Sequence, residues 1–136
     1  MTTMLAPIRL SIETPAAPDV AWEAITDPDR IVEWFTTASA LGRVGDPYRL
    51  DFGDSVVEGV VVTVDPGRSF SHTWSWTDSG SDETVVTWTV EPLRAGGSRV
   101  VLEHAGWTAG SDETARDDHR GYWESYLEDL VALLAA

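Results

Sequence analysis

The side chains of this chain best suited to chemistry fall in short alternating runs. Phe70, His72, Trp74 and Trp76 are separated by Ser71, Thr73 and Ser75, the period-two pattern of a strand that turns one face inward. Val86, Trp88 and Val90, then Val100, Leu102 and His104, repeat it. The same parity puts His72 and His104 on the inner face, and Glu58 offers a carboxylate on the same face of its own strand. An imidazole and a carboxylate in an apolar cavity could serve as general base and acid. An inward histidine is more often a hydrogen-bonded core or rim residue, so no residue is assigned a catalytic role. A metal site would need three or four converging ligands, and His72, His104 and Glu58 stand on separate strands without ligand spacing. No metal and no cofactor are expected.

The second constellation is aromatic. Trp74, Trp76 and Trp88 share the inner face, and Trp34, Phe35, Phe52, Trp107, Trp123 and Tyr126 are placed to converge on it. Large rigid rings can line a cavity without collapsing it and offer stacking faces and indole donors to a flat guest; ordinary core packing is the competing account of each ring taken alone. With His72 and His104 as polar neighbours, these residues are the expected ligand-binding set. Arg9, Arg49 and Arg99 fall on the opposite parity, leaving no counter-charge for a buried anion, so the expected ligand is an apolar or aromatic small molecule.

The elements that must position these groups follow from the hydrophobic pattern. Ile8, Leu10 and Ile12 mark a first strand; Pro18 starts a short helix carrying Val20, Ala21, Ala24 and Ile25. Asp27 caps a second short helix from Pro28, whose apolar end is Ile31, Val32, Trp34 and Phe35. Residues 36–46 read as loop. Tyr48, Leu50 and Phe52 alternate up to a Gly53-Asp54 hairpin, residues 56–64 are β-branched, and Asp65-Pro66-Gly67-Arg68 is a turn. A polar loop at Asp78–Asp82 and a tip at Gly96-Gly97 separate the remaining strands into an antiparallel meander. Ser111 is read as the N-cap of a long amphipathic helix, with Asp112 and Glu113 in its first turn and Trp123, Leu127, Leu130 and Leu134 as its buried stripe.

Composition excludes several function classes. The 136 residues suit one domain, 1–136, and contain no cysteine, so disulfides, thiolate sites and cysteine nucleophiles are absent. The net charge is −14 and every basic residue is arginine. Nucleic acid and anionic membrane surfaces are therefore not expected partners, and neither a Schiff-base lysine nor a P-loop lysine exists. No GxSxG, HExxH or GxGxxG motif occurs, and the carboxylates Asp112, Glu113, Asp117 and Asp118 lack the spacing and turn glycine of a calcium loop. No apolar run approaches a membrane span and no export signal opens the chain, so a cytoplasmic location is expected.

The order of strand, two short helices, antiparallel strands and long terminal helix resembles the helix-grip fold of the START-like (SRPBCC) superfamily, an α+β class with a curved antiparallel sheet wrapped on the C-terminal helix. Closer likeness lies in Val20-Ala21-Trp22 and Trp34-Phe35 within residues 15–35, in Val44-Gly45-Asp46-Pro47-Tyr48-Arg49, in Val64-Asp65-Pro66-Gly67-Arg68, in Glu103-His104-Ala105-Gly106-Trp107 and in Gly121-Tyr122-Trp123. These are similar to the family named for the activator of the ninety-kilodalton heat-shock-protein ATPase, specifically its C-terminal domain, and the likeness covers nearly the whole chain. The resemblance implies a cavity between helix and sheet. It implies, first, a stress-related domain that binds an apolar or aromatic ligand; second, a cofactor-independent cyclase, dehydratase or hydrolase working in the same cavity; third, a co-chaperone-like module that engages a chaperone or other protein as monomer or homodimer.

Overall fold

The computed structural model describes residues 3–77 and 83–135; the loop expected at Asp78–Asp82 lies outside the described residues. Strand β1 (Ile8–Thr14) is followed by helices α1 (Pro18–Thr26) and α2 (Pro28–Ile31), a two-residue strand β2 (Thr37–Ala38), strands β3 (Pro47–Asp51), β4 (Val56–Asp65), β5 (Ser69–Trp76), β6 (Thr84–Pro92) and β7 (Ser98–Ala105), and helix α3 (Glu113–Ala135). One antiparallel sheet has the order β1-β7-β6-β5-β4-β3-β2. It curves around α3, the helix-grip α+β architecture, and α3 packs against β1.

The inner face carries the expected residues. Phe70, His72 and Trp74 on β5, Val86, Trp88 and Val90 on β6, and Val100, Leu102 and His104 on β7 are all buried, and their registers align them in rows, with Phe70 opposite Trp88 and Trp88 opposite Leu102. Ser71 and Thr73 point to the other face yet are buried as well. Their hydroxyls are satisfied there: Ser71 Oγ lies 2.6 Å from Thr63 Oγ1, and Thr73 Oγ1 accepts the Val60 N–H at 2.9 Å.

Those contacts mark a sharp bend in β4. Its pairing with β5 shifts between Val61 and Thr63, a bulge that sends Val62 and Thr63 both outward. A Cβ at Gly59 would collide with the Thr73 carbonyl, so only glycine allows the two strands to approach so closely there. The Gly67 turn between β4 and β5 is as expected, with φ of 82°.

Four expectations are corrected. Glu58 does not face inward: it pairs with Ser75 on the outer face and is exposed, while Val57 and Val61 hold the inner positions. Residues 36–46 are not wholly loop, since Thr37 and Ala38 pair with Asp51 and Leu50. Val32 is 55% exposed rather than part of the apolar end, which is made by Ile31, Trp34 and Phe35; Trp34 anchors it by donating its indole N–H to the Ala24 carbonyl at 2.8 Å. Finally, Ser111 does not cap α3. The turn before the helix is closed by Asp112, whose carboxylate accepts the Thr108 N–H at 2.6 Å and whose own N–H bonds the Thr108 carbonyl at 3.0 Å. Helical bonding starts one residue later, with Arg116 N–H donating to the Asp112 carbonyl. Asp27, by contrast, caps α2 as expected, accepting the Asp29 N–H.

Candidate functional site

Between the N-terminal half of α3 and the β3–β5 side of the sheet lies a cavity of about 480 Å³, within the size range of small-molecule sites. The sheet contributes Trp74 and Trp76; the β3–β4 hairpin adds Phe52 and Ser55, and the segment after α2 adds Phe35. Helix α3 closes the other side with Trp123 and Tyr126, and with Ala115, Asp118, His119 and Tyr122 nearer its start.

The rings meet at steep angles. Trp74 and Trp76 stand at 87° with centroids 5.7 Å apart, Phe35 and Tyr126 at 74° and 4.7 Å, and Phe35 and Phe52 at 74° and 5.5 Å. Edge-to-face contact is the favoured geometry for aromatic pairs, and here it braces the rings against one another. Rigid walls of this kind keep a hollow open that flexible side chains would fill.

Of the residues expected to form the site, Phe35, Phe52, Trp74, Trp76, Trp123 and Tyr126 line this cavity. Trp34, Trp88, His72, His104 and Trp107 do not; they are buried beneath it. Trp88 packs edge-on to both Trp34 and Trp123, and His72 stacks on Tyr48 at 4.3 Å.

A buried hydrogen-bond chain stands behind the wall. Trp123 donates its indole N–H to His104 Nδ1 at 3.0 Å, which fixes the imidazole proton on Nε2. That proton is donated to Thr84 Oγ1 at 2.7 Å, and the Thr84 hydroxyl donates in turn to the Trp74 carbonyl at 3.3 Å. Trp107 donates to the His104 backbone carbonyl at 2.9 Å. Every site on the His104 ring is used, and burial, with the neighbouring His119 and His72, pushes its pKa down to about 2. His72 is likewise held neutral, its pKa lowered to about 4 by burial, while its Nδ1–H donates to the Thr73 carbonyl. Neither ring lines the cavity, and both nitrogens of His104 are bonded within the protein, so neither histidine is placed for proton transfer to a cavity ligand.

The histidine that does reach the cavity is His119, which the strand parity could not show. Its Nδ1–H donates to the Ala115 carbonyl at 2.7 Å, and its Nε2 accepts the Trp76 indole N–H at 3.0 Å. Burial lowers its pKa, so this ring is also neutral at pH 7. The signal was present: the stripe read from Trp123 onward, continued backward in steps of four, passes through His119 and Ala115.

One donor stands apart. Trp74 Nε1 is buried without a hydrogen-bond partner among the described residues, surrounded by the rings of Trp76, His104 and Trp123. Among the described residues no group of three His, Cys, Asp or Glu side chains could hold a metal ion, and no helix is long and apolar enough to cross a membrane.

Comparison with known proteins agrees with this architecture. The structure of DynU16, from the dynemicin biosynthetic locus, is similar with a TM-score of 0.84 and 27% identity; the match covers 96% of this chain and 47% of that one, so the chain spans about half the length of that relative. The AHSA1 protein from Silicibacter pomeroyi is similar with a TM-score of 0.77 and 27% identity over 95% of this chain and 97% of that one. A protein from Mesorhizobium loti reaches a TM-score of 0.85 at 23% identity over 94% and 96% of the two chains, a likeness of fold. No curated protein matches the chain by sequence. Residues 15–135 match the model of one family, and the chain belongs to that family, the Activator of Hsp90 ATPase homolog 1-like proteins.

Proposed function

We propose that this domain binds an apolar or aromatic small molecule between sheet and α3, in the cavity walled by Phe52, Trp74, Trp76, Trp123 and Tyr126. Family membership is compatible with a ligand-binding domain or a co-chaperone-like one; the cavity itself favours the first. A hollow of about 480 Å³ walled, among the described residues, by seven phenylalanine, tyrosine and tryptophan rings is the observation that carries the reading. A surface used only for protein docking has no need of a recess of this volume lined by large rings, because apolar walls left facing solvent forgo the burial they would gain by closing on one another. Binding is proposed in preference to turnover because His72 and His104 lie outside the cavity, with their pKa values held low by burial.

The test is an intrinsic-fluorescence titration with neutral bicyclic and tricyclic aromatics, supported by native mass spectrometry of freshly purified protein. Saturable quenching is expected, weakened at least about tenfold by Trp76→Ala, since losing a large ring from a pocket removes ~1.5–3 kcal/mol of burial. If no neutral aromatic saturates, or if saturation survives Trp76→Ala and Phe52→Ala unchanged, the cavity is not the binding site.

A further inference from the structure

We propose that the guest of this cavity is an organic cation: an aromatic or apolar body held among the indoles, with an ammonium group at the mouth beside Asp118. The inference rests on the binding function proposed above and adds the sign of the ligand's charge.

Three features converge on it. The first is the density of π systems. Phe52 lies 5.4 Å from Trp76, and Trp74 lies 5.4 Å from Trp123 and 5.7 Å from Trp76, the last pair nearly perpendicular. Several π systems around one space are the setting in which a cation is stabilised by aromatic quadrupoles.

The second is the charge of the lining. Among the described residues Asp118 is its single carboxylate, and no arginine among them lines the cavity. The two arginines of the same helix stretch are engaged elsewhere. Arg116 contacts Asp117 at 3.4 Å and donates its Nε–H to the Ala6 carbonyl, and Arg120 contacts Glu124 at 3.7 Å. Asp118 has no ion-pair partner among the described residues. His119 adds no positive charge, because its pKa is lowered and both ring nitrogens are bonded within the protein. A chain of net charge −14 further raises the local concentration of cations.

The third is the fate of the donors. The Trp76 indole N–H is taken by His119 and that of Trp123 by His104, while Trp74 Nε1 is buried. Among the side chains of the described residues, an anion entering the cavity would meet a carboxylate and the hydroxyls of Ser55, Tyr122 and Tyr126, which accept as readily as they donate.

The test uses three probes of similar size: benzyltrimethylammonium, its uncharged carbon isostere neopentylbenzene, and phenylacetate. Each displaces the neutral dye N-phenyl-1-naphthylamine from the full chain at low salt. The cation is expected to displace the dye at about 2- to 30-fold lower concentration than the isostere, the range that cation–π stabilisation covers, and phenylacetate is expected to be weakest. The cation-to-isostere ratio should narrow about threefold in Asp118→Asn, and also in Trp76→Leu, which keeps apolar bulk and removes the π face. If the dye binds but the isostere or phenylacetate displaces it as well as the cation does, or if neither substitution moves the ratio, the cation inference falls and the binding function stands. If the dye does not bind saturably and none of the probes binds directly in calorimetry, both fall.

Discussion

The two halves of α3 lie against the same curved sheet and do different things with it. Toward its C-terminus the helix offers Leu127, Leu130 and Leu134, all buried in the main hydrophobic cluster, and the gap is filled. Three to four turns earlier it offers Ala115, Asp118 and His119, and the gap stays open as the cavity. The sheet side of the open half is no smaller, since it carries Trp74 and Trp76. What hollows this end is the small and polar choice of helix residues facing rings too rigid to collapse onto them. Trp123 stands at the boundary, packing on Trp88 below while lining the cavity above. One helix thus both clamps the core and frames a site.

The sharpest way to probe this contrast is acid, because the histidines divide along it. His72 and His104 are sealed behind the cavity with pKa values lowered from 6.5 to about 4 and about 2, whereas His119 stands in its wall. A lowered folded-state pKa means that, below pH 6.5, the unfolded chain binds protons the folded chain refuses, so stability is lost as pH falls from about 6.5 toward the folded values. Relative to pH 8, folding at pH 5 should lose roughly 2 kcal/mol for each of the two sealed histidines. Urea midpoints at the two pH values measure it. A total loss below about 1 kcal/mol would show that at least one sealed imidazole becomes charged within the fold at little cost, contrary to the neutral tautomers drawn above.

Packing gives the next largest contrast. Leu130→Ala, at the filled end, should destabilise the protein by about 3–5 kcal/mol, the cost of a cavity in a close-packed core. Ala115→Leu, at the open end, should cost under about 1 kcal/mol, because it adds bulk where space exists, and it should block the ligand. Chemical denaturation of both variants, with a dye-binding measurement on the second, decides the matter. An Ala115→Leu penalty as large as that of core overpacking, about 1–3 kcal/mol, would mean the hollow is not there.

The filled half was more legible in the sequence than the open half, for physical reasons. A buried face imposes strict periodicity, so Phe70, Trp88, Leu102 and Leu130 could be placed from spacing alone. The rim of a cavity imposes no such rule: Asp118 read as part of a solvated helix N-terminus, and His119 lies on the helix stripe only when that stripe is carried back beyond Trp123. Parity also failed at Glu58, where the β4 bulge and the Gly59 approach alter the strand's relation to its neighbour; a bulge changes which residues face inward without leaving a hydrophobic signature. The Ser111 cap was displaced by a competing local interaction: the turn that Asp112 closes on Thr108 outweighs the capping preference of the serine. Rows of inward rings could be read as a cavity wall or as core, and only the structure separates Trp74 and Trp76, which line the space, from Trp88 and Trp107, which do not.

The smallest expected effect lies at the boundary itself, between two tryptophans 5.4 Å apart. Trp123 donates to His104, while the Trp74 indole N–H is buried without a partner among the described residues. Replacing either with phenylalanine removes a similar volume, so the difference between the two variants isolates the N–H group. In Trp123→Phe, His104 Nδ1 loses its donor inside the protein. Shifting the imidazole proton to Nδ1 does not help, because that N–H then lacks an acceptor and the Thr84 hydroxyl must turn from the Trp74 carbonyl to satisfy Nε2. In Trp74→Phe, a donor already unsatisfied is simply removed, which relieves a desolvation cost. Trp123→Phe should therefore be less stable than Trp74→Phe by about 1–3 kcal/mol, the cost of stranding a buried polar group, as read from paired denaturation curves. Equal losses, or a costlier Trp74→Phe, would mean that the hydrogen-bond chain through His104 does not hold Trp123 at the boundary between core and cavity.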